Sequence, residues 1–336
     1  MAKKKKGKKR FKKIVILLAL LIVAYAILWI ITPSVDQYYS SDGSLIANLE
    51  LPLLEEGEEL IEHTGFSLVY VEEYEQAKWV AYQLTRDEVY GNVERKDNFR
   101  ADPKIKTGSA TTSDYVRSGY DRGHLAPAGD LSWSEEAMSD SFYMSNMSPQ
   151  DPSFNRGIWS SLEAVVRNYA ANEGEIYVVT GPVLTDGPYK TIGKNEVAVP
   201  NYYYKVILDY TEPEKKMIGF VLPNEGSKES LENFATTVDH VQQLTGIDFF
   251  HQLPDEEEFL LESTFDYSLW PNEEFRVTKA EKEAYAENSS SFVPVQKESS
   301  TILLIKEIID EIMVMTKKEL TSLFNHFTKR LQANFT

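Results

Sequence analysis

The sequence predicts an α+β domain preceded by a transmembrane helix and followed by a C-terminal helical extension. Three observations lead there. An uncharged apolar run follows a basic N-terminal block. Segments rich in Val, Ile and Tyr, bounded by Gly, Pro or Asn, share the middle of the chain with helical periodicities. A further amphipathic pattern closes it. With 42% hydrophobic residues, the 336-residue chain has the composition of a folded protein. It holds no cysteine, which excludes disulfides, thiolate zinc sites and a cysteine nucleophile.

Ile14 to Ile31 is the apolar run, IVILLALLIVAYAILWII. At about 1.5 Å per residue it reaches about 27 Å, enough for a hydrocarbon core. Residues 1–13 form a basic tail with nine Lys/Arg and no acid, and Pro33 follows the run. Residues 14–32 are therefore expected to be an anchor, with the basic end cytoplasmic and the rest of the chain outside. The competing reading is a signal peptide cleaved at Ala24-Tyr25-Ala26, giving a secreted product.

Removing the nine basic residues of the tail leaves 26 Lys/Arg against 52 Asp/Glu, a net charge of −26. Such a body argues against broad adhesion to nucleic acid and leaves room only for a local basic site. Residues 33–62, polar and acidic, read as a stalk with little structure of its own, and residues 63–270 as the globular domain. Strands are expected at Ser67–Val71, Glu175–Gly181, Val197–Tyr210 and Lys216–Leu222, and a strand or short helix at Ala77–Leu84. Ser230–Thr245 has helical spacing. Residues 271–300 read as a linker. Residues 301–333 return to an amphipathic pattern through Ile305, Ile308, Ile309, Ile312, Leu320, Leu323, Phe324 and Phe327. That stripe is expected to pack on the domain, to pair two copies as a homodimer, or to lie on the membrane.

The chemistry concentrates between Arg95 and Arg167. In order come Tyr120-Asp121-Arg122-Gly123-His124-Leu125-Ala126-Pro127, Ser145-Asn146-Met147-Ser148-Pro149-Gln150 and Asn155-Arg156-Gly157-Ile158-Trp159, then Glu163 and Arg167. Ile158, Trp159, Leu162, Val165, Val166 and Tyr169 make an apolar helical stripe. Asn155, Glu163 and Arg167 flank it within an arc of roughly 120°, so the three can share a cleft.

These residue types suit hydrolysis of a phosphodiester. His124 suits a general base, since its ordinary pKa is about 6.5. Asn155 offers a hard, neutral oxygen to Mg²⁺, an ion that keeps most of its waters, and Glu163 suits holding those waters. Arg122, Arg95 and Arg167 suit a planar grip on phosphate. Singly, each has a plainer reading: a structural histidine, an N-cap asparagine, an i,i+4 salt bridge between Glu163 and Arg167.

Together, Asp121-Arg122-Gly123-His124, Ser145–Gln150, Asn155–Trp159 and Leu162-Glu163 resemble the signature of the DNA/RNA non-specific endonuclease family. The likeness is greatest to its endonuclease G-like branch of ββα-metal nucleases. Thr180-Gly181-Pro182, Val197-Ala198-Val199-Pro200 and Leu244-Thr245-Gly246 fit as well, and the likeness covers roughly residues 60–255. The resemblance implies a ββα-metal core with a central antiparallel sheet flanked by helices. It also implies a sequence-non-specific, Mg²⁺-dependent endonuclease of DNA and/or RNA, with Mn²⁺ as a substitute ion. In it His124 is the general base, Asn155 the direct metal ligand and Glu163 a ligand through water. Arg122 supports the site, and Asn146 orients it or is purely structural. Arg95, in an Arg95-Lys96-Asp97-Asn98 element, stabilises the transition state, with Arg100 as its rival; Arg100 and Arg167 are substrate-binding candidates. Residues 91–122 carry seven basic and five acidic residues, a local excess of positive charge within the acidic body. A phosphodiesterase acting on another substrate, or a non-catalytic nucleic-acid- or partner-binding module, are the alternative functions.

Overall fold

The structure is a computed structural model and describes residues 38–39, 45–271, 278 and 280–282. The expected basic tail, membrane span and C-terminal extension lie outside the described residues, as does nearly all of the linker. Among the described residues no helix is long and apolar enough to cross a membrane.

The elements run in the order β1 (Tyr38–Tyr39), β2 (Leu45–Ile46), β3 (Leu60–His63), β4 (Phe66–Val71), β5 (Gln76–Thr85), α1 (Arg86–Val89), β6 (Asp121–His124), α2 (Glu135–Asp140) and β7 (Met147–Gln150). Then come α3 (Pro152–Phe154), a π turn (Asn155–Trp159), α4 (Ser160–Glu173), β8 (Glu175–Pro182), β9 (Lys190–Ile192), β10 (Val197–Val199), β11 (Tyr202–Asp209), β12 (Lys216–Pro223), β13 (Ala235–Thr236), α5 (Val238–Thr245) and α6 (Asp255–Ser263). Seven strands form one antiparallel sheet in the order β13-β12-β11-β8-β5-β4-β3. The expected central antiparallel sheet flanked by helices is present.

Period-two alternation divides the strands between two cores. Val80, Tyr82, Val178, Tyr203 and Ile207 face the layer of α4, whose Leu162, Val166 and Tyr169 fill that core. Trp79, Ala81, Val179, Tyr204 and Val206 face the other side, under α5 and Phe249. Because both faces are covered, the central strands read as nearly continuous apolar runs. This settles Ala77–Leu84 as a strand.

Three expectations need correcting. Val197–Tyr210 is two strands, because Pro200 has no N–H for the ladder and Pro200-Asn201 turns the chain from β10 into β11. Ser230–Thr245 is not one helix. A 3₁₀ turn at Leu231–Phe234 precedes β13, which pairs with Gly219 and Phe220 at the sheet edge. Thr237 then caps α5, its Oγ1 accepting from His240 N at 3.2 Å. The described part of the stalk from Asn48 onward belongs to the domain. Leu49 is buried, Leu53 N donates to Asp248 O, Glu55 and Glu58 hold Lys78, and β3 edges the sheet. The acidic run there is a set of ion-pair partners. At the far end Trp270 is buried against Tyr169, 4.6 Å between ring centroids.

Candidate active site

The site is built where a short strand meets a distorted helix start. β6 pairs antiparallel with β7, Gly123 opposite Ser148 and His124 opposite Met147. Any side chain at Gly123 would collide with the buried Gln150, since a Cβ there lies 2.1 Å from Gln150 Oε1. A glycine therefore lets β6 approach closely enough to fix His124. The His124 ring packs edge-on to Phe142 (5.0 Å) and Phe99 (5.8 Å), is 8% exposed, and its Nε2 has no partner. Burial, helped by the charges of Arg95 and Arg122, pushes its pKa down to about 3. The imidazole is held neutral. Arg122 lies over the Phe99 ring (4.1 Å) and Arg95 over the Phe142 ring (4.8 Å), so the same aromatics wall the histidine and support both guanidiniums.

Asn146 is wholly buried and fully committed. Its Oδ1 accepts from Ala126 N and its Nδ2 donates to Ala126 O and Ser141 O, all at 2.9 Å. It shapes the turn that follows His124.

Asn155 is not the N-cap of its helix. Asp151 caps α3 by accepting from Ser153 N at 2.8 Å, with Pro152 at the first helical position. Asn155 begins a π turn that is non-helical at Gly157 (φ −112°, ψ −113°); such turns recur at functional sites. Its Nδ2 donates to Asp121 Oδ2 at 3.0 Å, and Arg156 grips the same carboxylate with two bonds, 2.8 and 2.6 Å. Partial burial favours the protonated acid, but these bonds prevail and hold Asp121 below the usual carboxylate range. Four residues after Asn155, Trp159 Nε1 donates to His124 O at 3.4 Å. The π turn is thus tied to β6 at both ends, through Asp121 and through His124.

Behind this lies a charged network. Arg167 donates to the buried Asp130 at 2.6 Å, and Tyr82 donates to the other oxygen of Asp130 at 2.8 Å. The bond expected between Arg167 and Glu163 is therefore made to Asp130 instead. Glu163 makes no hydrogen bond or ion pair among the described residues. Burial pushes its pKa up to about 7, against the charges of Arg167, Lys205 and Arg95. Lys205 is fully buried, which pushes its ammonium down to about 8. Arg95 acts on both His124 and Glu163 and stands at the rim, half exposed and paired with Asp97 at 2.7 Å. Arg100 is turned elsewhere: it donates to Ser139 O at 2.7 Å, approaches Asp140 at 3.4 Å and stacks on Tyr143 at 3.8 Å.

The donors fit a hard cation that keeps its water. Among the described residues Asn155 Oδ1 has no partner once Asp121 holds the amide nitrogen, and the Glu163 carboxylate is unengaged. Among the described residues no group of three or more His, Asp or Glu forms a cage. One amide oxygen and one unpaired carboxylate suit a divalent cation bound mostly by water. Sequence reasoning missed Asp121's hold on Asn155, and with it Asp130, Tyr82, Trp159 and Lys205. The one available signal was a lysine within the apolar run Tyr202–Leu208.

Comparison with known proteins agrees. The profile of the DNA/RNA non-specific endonuclease family matches residues 50–256. The chain is 36% identical over 230 residues to "Nuclease EXOG, mitochondrial" of Danio rerio, covering 64% of this chain and 66% of that protein. It is 36% identical to "Endonuclease G, mitochondrial" of Homo sapiens (55% and 67% covered) and 36% to "Nuclease C1" of Cunninghamella echinulata var. echinulata (58% and 84%). A crystal structure of an EndoG/EndoGI complex superposes with a TM-score of 0.58 at 32% identity, covering 66% of this chain and 94% of that one. The match falls just short of two thirds of the Danio protein's length. With the family profile covering more than half of its residues, the chain belongs to the DNA/RNA non-specific endonuclease family.

Proposed function

We propose that this protein is a metal-dependent endonuclease that hydrolyses DNA and/or RNA without sequence specificity. The observation that carries the reading is the pairing of β6 with the π turn. It ties the strand that carries a neutral imidazole, its Nε2 without a partner among the described residues, to the turn that carries an amide oxygen whose nitrogen is pinned by Asp121. His124, neutral, accepts the proton of the attacking water. Arg95 and Arg122 offer the phosphate cationic donors that need no rearrangement, since the Phe142 and Phe99 rings already support them. Asn155 would hold Mg²⁺, or Mn²⁺ in its place, with Glu163 on its waters, and when bound the ion would supply Lewis-acid stabilisation of the phosphate. Arg167 and Arg100, already engaged by Asp130 and Asp140, are secondary contacts at the cleft wall. Asn146 orients the turn beyond His124.

Residues 14–32 anchor the enzyme in this reading, with residues 1–13 cytoplasmic and the nuclease domain outside. The support is the 18-residue uncharged run behind nine basic residues. The test of activity is incubation of the full chain, in detergent, with circular single-stranded DNA, circular duplex DNA and RNA. Each is run with Mg²⁺, with Mn²⁺ and with EDTA. Metal-dependent linearisation of circular substrate is expected. A folded chain that binds these polymers and cleaves none would establish the binding-module alternative.

A further inference from the structure

Strand β11 carries its charge in an unusual place. Alternation puts Tyr203 and Ile207 on the face beneath α4, and Lys205 shares that face. Its side chain is fully buried, yet it makes no ion pair among the described residues. Its one hydrogen bond is a long one, Nζ to Leu125 O at 3.3 Å, and its ammonium lies over the Trp159 ring at 4.8 Å. Burying an ammonium on these terms is costly. An apolar side chain would fill the same space without that cost.

The contacts say what the lysine does there. Leu125 immediately follows His124, and the backbone from 124 to 126 is held at every residue. Trp159 Nε1 takes the carbonyl of His124, Lys205 takes that of Leu125, and Asn146 takes both groups of Ala126. Lys205 and Trp159 also touch each other, so the central sheet and the π turn close on one segment from two sides. Electrostatics agree: behind the reacting groups the Glu163 carboxylate feels the charge of Lys205 together with those of Arg167 and Arg95.

We infer that Lys205 is a positioning residue of the cleavage reaction, fixing the His124–Leu125 backbone from the sheet and balancing the charge of Glu163 from behind. The inference rests on the nuclease reading proposed above. A misplacement of the base by about an ångström is worth up to about 100-fold in rate. The effect belongs in kcat, because Lys205 lies beneath the site and touches no substrate.

The experiment uses the full chain carrying Lys205→Met, Lys205→Gln or Trp159→Phe, assayed on plasmid DNA with saturating Mg²⁺ and normalised per folded molecule by circular dichroism. Lys205→Met is expected to lower kcat on the order of 10–100-fold with KM unchanged. Lys205→Gln keeps a donor for the Leu125 carbonyl and is expected to recover part of that loss. Trp159→Phe keeps the aromatic face and loses the indole donor; combined with the lysine change, its effect on kcat is expected to be less than additive. Wild-type kcat per folded molecule in a lysine variant, with only the yield or thermal midpoint reduced, overturns the inference. So does full additivity with Trp159→Phe, which also decides the matter should Lys205→Met not fold, since Lys205→Gln then enters the cycle. A wild-type chain that cleaves nothing refutes the nuclease reading itself, which is a different outcome.

Discussion

His124 needs no base of its own to stay neutral: burial and two neighbouring guanidiniums already disfavour the imidazolium. Replacing it with alanine removes the proposed proton acceptor and leaves Arg95, Arg122 and the proposed metal ligands in place. His124→Ala is expected to lower kcat about 10²–10⁴-fold with DNA affinity nearly unchanged. Near-wild-type turnover, measured under single-turnover conditions, would take His124 out of the mechanism. Asn155 is held through its amide nitrogen, which donates to Asp121, and offers its oxygen as an acceptor, so the two halves of its amide do different work. Asn155→Ala is expected to shift the Mg²⁺ dependence of cleavage to higher concentration as well as to lower the rate. A Mg²⁺ titration that superposes on the wild-type curve would remove the ligand assignment.

Two elements carry consequences of their own. The β6–β7 pair tolerates no side chain at residue 123, because Gln150 fills the space a Cβ needs and is itself buried. Gly123→Ala is expected to destabilise the fold by about 1–3 kcal/mol in urea titration and to cost activity beyond the loss of folded protein, since β6 carries His124. Unchanged stability would show that Gln150 can give way. Helix α6 presents a different strain. Glu262 is 4% exposed, one oxygen bonded to Gln242 and the other without a partner. Burial, then Glu258, Asp239 and Asp248, push its pKa up to about 8 from an ordinary 4.5. The folded state thus holds this proton more tightly than the unfolded chain. Stability from this group is complete below about pH 4.5 and is lost as pH rises towards 8. The Glu262→Gln variant keeps the bond to Gln242 and cannot ionise. Its thermal midpoint is expected to gain on the wild type progressively between pH 5 and pH 8; a pH-independent difference would contradict this.

At the scale of the whole molecule, charge and topology act together. The body carries a net charge of −26 while residues 91–122 hold a local excess of positive charge, so binding is expected to be local and weakened by salt. The basic N-terminal block and apolar run predict where that body resides. The full chain is expected to sediment with membranes, and protease added to intact cells is expected to remove everything beyond about residue 34. A soluble mature chain beginning at Ile27 would establish the signal-peptide alternative.

The sequence by itself determined the family, the candidate residues of the site and most of the strands. Each is written locally: Asp121-Gly123-His124 on one short strand, Asn155 and Glu163 on one helical stretch, Val, Ile and Tyr in runs between breakers. What only the tertiary structure decided is which group each charged side chain answers to. The plainer reading of Asn155 is a helix cap, but Asp121, 34 residues away, holds it; Arg167 answers to Asp130, 37 residues away; Lys205 reaches Leu125 across 80. Helical spacing makes Glu163 and Arg167 neighbours, yet the fully buried Asp130 carboxylate brought in by packing takes the guanidinium instead. The same holds at the domain's start. Glu55 and Glu58 look like solvated charge until the fold sets Lys78 against them. Local pattern specifies what a segment can form, whereas long-range pairing depends on which partners the closed sheet leaves in a dry interior, where an unpaired charge costs most.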